Sequence, residues 1–230
     1  MRMLIKTILM AAVIALLSHQ GAYAADIPPK ARASLRSLIK ESHDPVEIYW
    51  NETTNTPAIL TGELSRPSMH TPEWIAYKYL NKTKVLYGLR FPNRDMKIMG
   101  VDRSNPGFVQ VKLQHMLFQT PVWGDSITID IDEDGVIRRV QGRVHADMEK
   151  KLFYRRKHAS IPIKKAAAIA RDALRHDPDA AGPLSLQAYY LPTRPGTPLI
   201  YAATVRNRQT GVETNLFIHA ITGHVIKPHS

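Results

Sequence analysis

Val109 to Gly142 reads VQVKLQHMLFQTPVWGDSITIDIDEDGVIRRVQG. Val109, Val111 and Leu113 alternate with polar residues, and so do Ile127, Ile129 and Ile131. Successive side chains of a strand point to opposite faces, so each run predicts a half-buried strand. Asp134-Gly135 then leads into a third apolar run, Val136 to Val140. A tight hairpin needs positive φ at its centre, and Asp-Gly supplies it. The stretch therefore predicts an antiparallel, hairpin-rich sheet.

Upstream, Thr71-Pro72-Glu73 starts a helix. Thr71 can cap free N–H groups, and Pro72 in the first turn wastes no donor. Ile75, Ala76, Tyr79 and Leu80 share one face of that helix, which should stop near Asn81 or Lys82. A short helix is predicted around Leu35, Leu38 and Ile39. A hairpin is predicted from Glu47–Trp50 and Ala58–Leu60 around NETTNTP, and a strand over Met96–Met99. Downstream, Lys150 to His158 is dense in positive charge and reads as a junction, with Leu152 and Phe153 packing down. Ser160 then predicts a second helix cap, with Pro162 in the first turn. Ile163, Ala166, Ala167, Ala170, Ala173 and Leu174 form its apolar stripe. Strands are predicted over Leu184–Leu191, Leu199–Val205 and Glu213–Ala220, with a last turn at Thr222-Gly223. Each half places a helix before antiparallel strands. The expected fold is α+β, two small domains each with an antiparallel sheet packed on a helix.

The ends and the composition bound the function. Arg2 and Lys6 precede the apolar run Ile8–Leu17, and Ala22-Tyr23-Ala24 offers small residues for cleavage after Ala24. Residues 1–24 thus predict a cleavable signal peptide, since the run is too short to span a bilayer. The expectation is a secreted or periplasmic protein with no membrane span after cleavage. The chain has no cysteine, so core burial alone must hold it together. Net charge is +11 and the predicted mature chain carries 29 bases against 20 acids. Such a surface favours acidic partners, including anionic cell-envelope polymers. Export and the lack of an aromatic-rich basic motif exclude nucleic acid.

Two motifs carry a resemblance. Lys112, Gln114, Pro121-Val122-Trp123-Gly124 and Asp134-Gly135 together resemble the signature of the fungalysin/thermolysin propeptide (FTP) domain. The helix around Trp74–Leu80 and the Asp102-to-Gly107 hairpin are similar to the same family. IPIKKAAAIARDAL, LIYAATV and LFIHAITGHVI resemble a PepSY domain. His219 stands where that family commonly has aspartate before Ala-x-Thr-Gly, and Gln119 where the FTP pattern has glycine. The resemblance covers about residues 45 to 226 and implies the prodomain of thermolysin-like metallopeptidases. The corresponding boundaries are an N-terminal extension over 25–45, an FTP-like domain over 46–148, a basic linker over 149–159 and a PepSY-like domain over 160–230.

Catalytic constellations are missing from the sequence. No His-Glu-x-x-His occurs, nor a Gly-x-Ser-x-Gly elbow. His224 and His229 lie five apart around Pro228 and do not stack as zinc ligands. Asp130, Asp132, Glu133 and Asp134 read as a solvated hairpin rather than a calcium loop. No catalytic residue, cofactor or metal site is expected. The resemblance implies a non-catalytic inhibitor or folding assistant of a thermolysin-like zinc metallopeptidase, acting in trans. The alternatives are an envelope-polyanion binding module and a prodomain remnant. Pro121, Val122, Trp123, Gly124 and, in the tail, His229 are the candidate peptidase contacts. Core packing is the competing role for Trp123.

Overall fold

The computed structural model describes residues 27–175, 177, 180 and 182–226. The predicted signal peptide and His229 lie outside these residues.

The fold is α+β, built on one large curled mixed sheet. Helix α1 (Pro29–Glu41) buries Ala31, Leu35 and Leu38, while Ile39 faces solvent. Strands β1 (Glu47–Asn51) and β2 (Thr56–Thr61) form the expected hairpin. Helix α2 (Pro72–Thr83) starts where predicted, with the Thr71 hydroxyl accepting the Trp74 N–H at 3.4 Å. It buries Ile75, Ala76, Tyr79 and Leu80 and runs one residue past the predicted stop. The short turn α3 (Pro92–Asp95) leads into β3 (Met96–Asp102), β4 (Phe108–Leu117), β5 (Thr120–Asp132) and β6 (Ile137–Arg143). Val111, Leu113, Ile127, Ile129 and Ile131 are all buried, so the alternation that predicted the sheet is the alternation it uses.

A second helical turn, α4 (Met148–Lys151), precedes α5 (Ile163–Ala173). Strands β7 (Leu184–Tyr190), β8 (Leu199–Arg206), β9 (Glu213–His219) and β10 (Val225–Ile226) follow as a meander. The α5 cap is Pro162, not Ser160. The Ser160 and Ile161 N–H groups instead donate to the Ala220 carbonyl, which ties the segment to the end of β9 before the helix can begin. The apolar stripe is narrower than predicted. Ala166 and Ala170 are buried, but Ile163 is 51 % exposed and Ala173 faces solvent.

The sequence predicts two separate domains, whereas the hydrogen bonding runs through both halves. The order is β1-β2-β6-β5-β7-β8-β9-β10, with β3-β4 joining on β5. Strand β6 pairs with β5 from Ile131 down to Ser126. Beyond that point Val122 of β5 pairs in parallel with Tyr190 of β7. One long strand thus serves both halves, which is why the sheet is mixed.

Among the described residues, three apolar clusters fill the structure. The first lies between α1, α2 and the β1–β6 region. The second lies under α5 on β7–β9, and Leu117, Val122, Met148 and Leu152 from the preceding half complete it. The third packs Leu191, Ile200, Ala202 and Phe217 with Trp123. Ile200 and Ala202 alternate with Leu199, Tyr201 and Ala203, so this cluster uses the opposite face of β8.

Candidate functional site

The Pro-Val-Trp-Gly motif sits in a wide bulge. Gln114 of β4 pairs with Ser126, but Met116 pairs with Pro121. Val122 to Asp125 therefore leave the β4 ladder. The Gln114 side chain replaces the lost bonds, its Nε2 donating to the carbonyls of Val122 at 2.8 Å and Asp125 at 2.7 Å. Gly124 has φ +74, and a Cβ there would strike the Arg143 guanidinium. Only glycine meets both demands without strain. Arg143 Nε donates to the Gly124 carbonyl at 3.2 Å and closes the bulge.

The bulge sends its side chains in two directions. Val122 is fully buried in the second cluster. Trp123 packs edge-on against Tyr189, with centroids 5.0 Å apart, and against Phe217 at 4.9 Å. Its indole thus joins the two halves. Pro121 is half-buried and Gly124 exposed. Of the motif, then, Pro121, the open side of Trp123 and Gly124 present surface.

Asp125 turns inward to a buried knot that the sequence reading does not contain. Its side chain is fully buried. Oδ2 accepts from the His115 Nδ1–H at 2.9 Å and from the His145 backbone N–H at 2.7 Å, and Oδ1 accepts from the His145 Nδ1–H at 2.7 Å. Burial alone would raise the Asp125 pKa. The hydrogen bonds from both imidazoles outweigh it, and the carboxyl titrates below its ordinary range. With both oxygens committed, this carboxylate holds structure and is not free to act as a base. A sequence signal existed. His115 is in register with the buried Val111 and Leu113, and Asp125 with the buried Ile127 and Ile129. Two ionisable residues on the inward phase of adjacent strands imply a pair.

A cleft of about 700 Å³ opens beside the knot. Leu86, Leu117 and Met148 line it together with His115, and its charged residues include Lys30, Arg90, Asp147, Glu149 and Lys150. Arg94 Nη2 clamps Glu149 at 2.6 Å and Asp95 at 2.8 Å. Asp95 also accepts the backbone N–H groups of Arg90 and Phe91 at 2.9 and 2.7 Å. Among the described residues no group of three or more His, Cys, Asp or Glu is arranged to hold a metal ion.

The basic linker packs down at Leu152 only; Phe153 is 82 % exposed. Its end is pinned, because Lys157 Nζ donates to the carbonyls of Gly196 and Thr197 and its backbone N–H to the Tyr190 hydroxyl. The hairpin acids have local partners: Asp130 accepts from Gln110 Nε2 at 2.9 Å and Asp132 from Arg138 Nε at 2.7 Å. His219 takes over a turn-capping role, its Nδ1 accepting the Thr222 N–H at 3.1 Å. Burial lowers its pKa, and the nearby Lys157 cation adds to the effect.

No protein-family model matches the chain. Bacillolysin of Bacillus cereus is 27 % identical over 128 residues, which are 54 % of this chain and 22 % of bacillolysin. The chain thus spans about a fifth of the length of that curated relative. Among solved structures, the C-terminal domain of Bacillus megaterium YpeB superposes with a TM-score of 0.37 at 13 % identity, covering 86 % of this chain and 94 % of that one.

Proposed function

We propose that this chain is an exported, non-catalytic protein that acts on a thermolysin-like zinc metallopeptidase as inhibitor, folding assistant or both. The observation that carries the proposal is the restricted likeness to bacillolysin. It is confined to 22 % of that protein's length, and this chain contains no His-Glu-x-x-His. The paired FTP-like and PepSY-like motifs are consistent with a prodomain-type role. On this reading the two halves act as one unit, since β5 and Trp123 belong to both. The contact strip runs over Pro121, the open side of Trp123 and Gly124, with the His229 tail as a further contact. A broad matched surface, rather than one reactive group, supplies the affinity.

Purified chain should slow a thermolysin-like peptidase at micromolar levels or below and leave serine proteases untouched. It should also raise the yield of active peptidase on refolding. Plain digestion with neither effect would overturn the reading. Retention on anionic envelope polymers that salt abolishes, again with neither effect, would replace it with a polyanion-binding role.

A further inference from the structure

The linker displays two neighbouring aromatic rings on a backbone shaped to hold them out. Phe153 has φ 52 and Tyr154 φ 58, two successive left-handed residues, neither of them glycine. Non-glycine side chains rarely adopt this conformation, so the surroundings must impose it. They do so through a closed turn. The N–H groups of Phe153, Tyr154 and Arg155 donate to the carbonyls of Lys150, Glu149 and Leu152 at 2.9, 2.8 and 3.0 Å, and Leu152 is anchored in the second core. The Arg90 guanidinium lies 5.5 Å from the Tyr154 ring and 4.9 Å from the Phe91 ring, and Arg94 lies 4.8 Å from Phe91. Arg94 is in turn fixed by Glu149 and Asp95. Phe91, Phe153 and Tyr154 are 48 %, 82 % and 57 % exposed. The neighbouring Lys150, Lys151, Arg155 and Arg156 make no salt bridge among the described residues.

We infer that this aromatic and basic face docks an acidic surface of the partner peptidase, at the edge of the 700 Å³ cleft. The inference rests on the function proposed above and adds a second contact face to the Pro121–Gly124 strip. Exposed aromatics on a fixed backbone, with arginine beside Phe91 and Tyr154, are the kind of side chains that anchor protein interfaces, and unpaired bases around them complement acid and speed encounter. A lipid surface is fluid and needs no such fixed geometry. A protein pocket does.

Association of the purified chain with B. cereus bacillolysin, read by biolayer interferometry with intactness checked on gels, tests the inference. Phe153→Ala should weaken the Kd at least tenfold. Lys151→Glu with Arg155→Glu should slow association and flatten its salt dependence. All three side chains are exposed, so melting temperatures should stay near that of the unaltered chain. Unchanged affinity in both variants overturns the docking face and leaves the peptidase reading standing. No association by the unaltered chain overturns both. Binding to phosphatidylglycerol vesicles that the variants lose, with bacillolysin affinity unchanged, assigns the face to lipid and overturns it too.

Discussion

The two halves of the sheet differ in how they close their cores. The β1–β6 half fills its core with its own side chains from α1, α2 and six strands. The β7–β10 half has only Ala166 and Ala170 fully buried on its long helix, and it draws Leu117, Val122, Met148 and Leu152 from the other half. A helix that contributes alanine buries little apolar area, about 25 cal/mol for each Å². The later half is therefore the dependent one. Damage to the first half should bring down both, whereas damage at the shared residues should loosen the second half alone.

The severest test is Asp125→Ala. It leaves two buried imidazole N–H groups and the His145 amide without an acceptor. Leaving one buried donor unsatisfied costs about 1–3 kcal/mol, and three lose their acceptor here. Urea denaturation should show that loss as one transition covering both halves. Two separate transitions would break the comparison. The effect has a pH signature. The folded Asp125 titrates below the unfolded value of about 3.9, so its contribution is complete above that value and disappears as pH falls through the folded one. The difference between the unaltered chain and Asp125→Ala should shrink below about pH 4.

The contrast between the halves was only partly legible in the sequence. Alternation at Val111–Leu113 and Ile127–Ile131 revealed the first sheet because one face is dry and the other wet. In β8 the residues Leu199 to Ala203 are buried on both faces, so that strand could be found but its two packing partners could not. The continuous sheet rests on a single bridge, Val122 to Tyr190, which leaves no local trace. The position of the α5 cap followed the tertiary bonds of Ser160 and Ile161 to Ala220 rather than capping propensity. At the candidate site, Pro121–Gly124 was picked out through its resemblance to the FTP signature. The role of Gln114 and the His115–Asp125–His145 knot depended on a bulge that only the pairing register reveals.

Leu117→Ala probes the borrowed side chains directly. Leu117 is 1 % exposed and lies in the second core although it ends β4. Truncation should cost about 2–4 kcal/mol through lost transfer energy and an unfilled cavity. Hydrogen exchange should quicken in β7–β9 while β4–β6 stay protected. Equal acceleration in both would mean that the halves are a single cooperative unit. Trp123→Leu should act in the same direction but less, about 1–2 kcal/mol, because leucine refills part of the site while two edge-on ring contacts are lost.

The smallest effect concerns the last turn of the dependent half. His219 caps the turn through an unprotonated Nδ1, so the cap requires neutral imidazole. Its folded pKa lies below that of the unfolded chain, so the cap's contribution is complete above about pH 6.5 and is lost as pH falls through the folded value. An aspartate would accept the same Thr222 N–H, remain ionised to about pH 4, and face the Lys157 cation that now disfavours protonated imidazole. His219→Asp should add about 0.5–1 kcal/mol at pH 5, or roughly 1–4 °C in Tm, with less gain at pH 8. The gain should appear as slower exchange in β9 and β10 and leave β1–β6 unchanged. A gain that does not depend on pH would show that the imidazole's protonation is not what limits this turn.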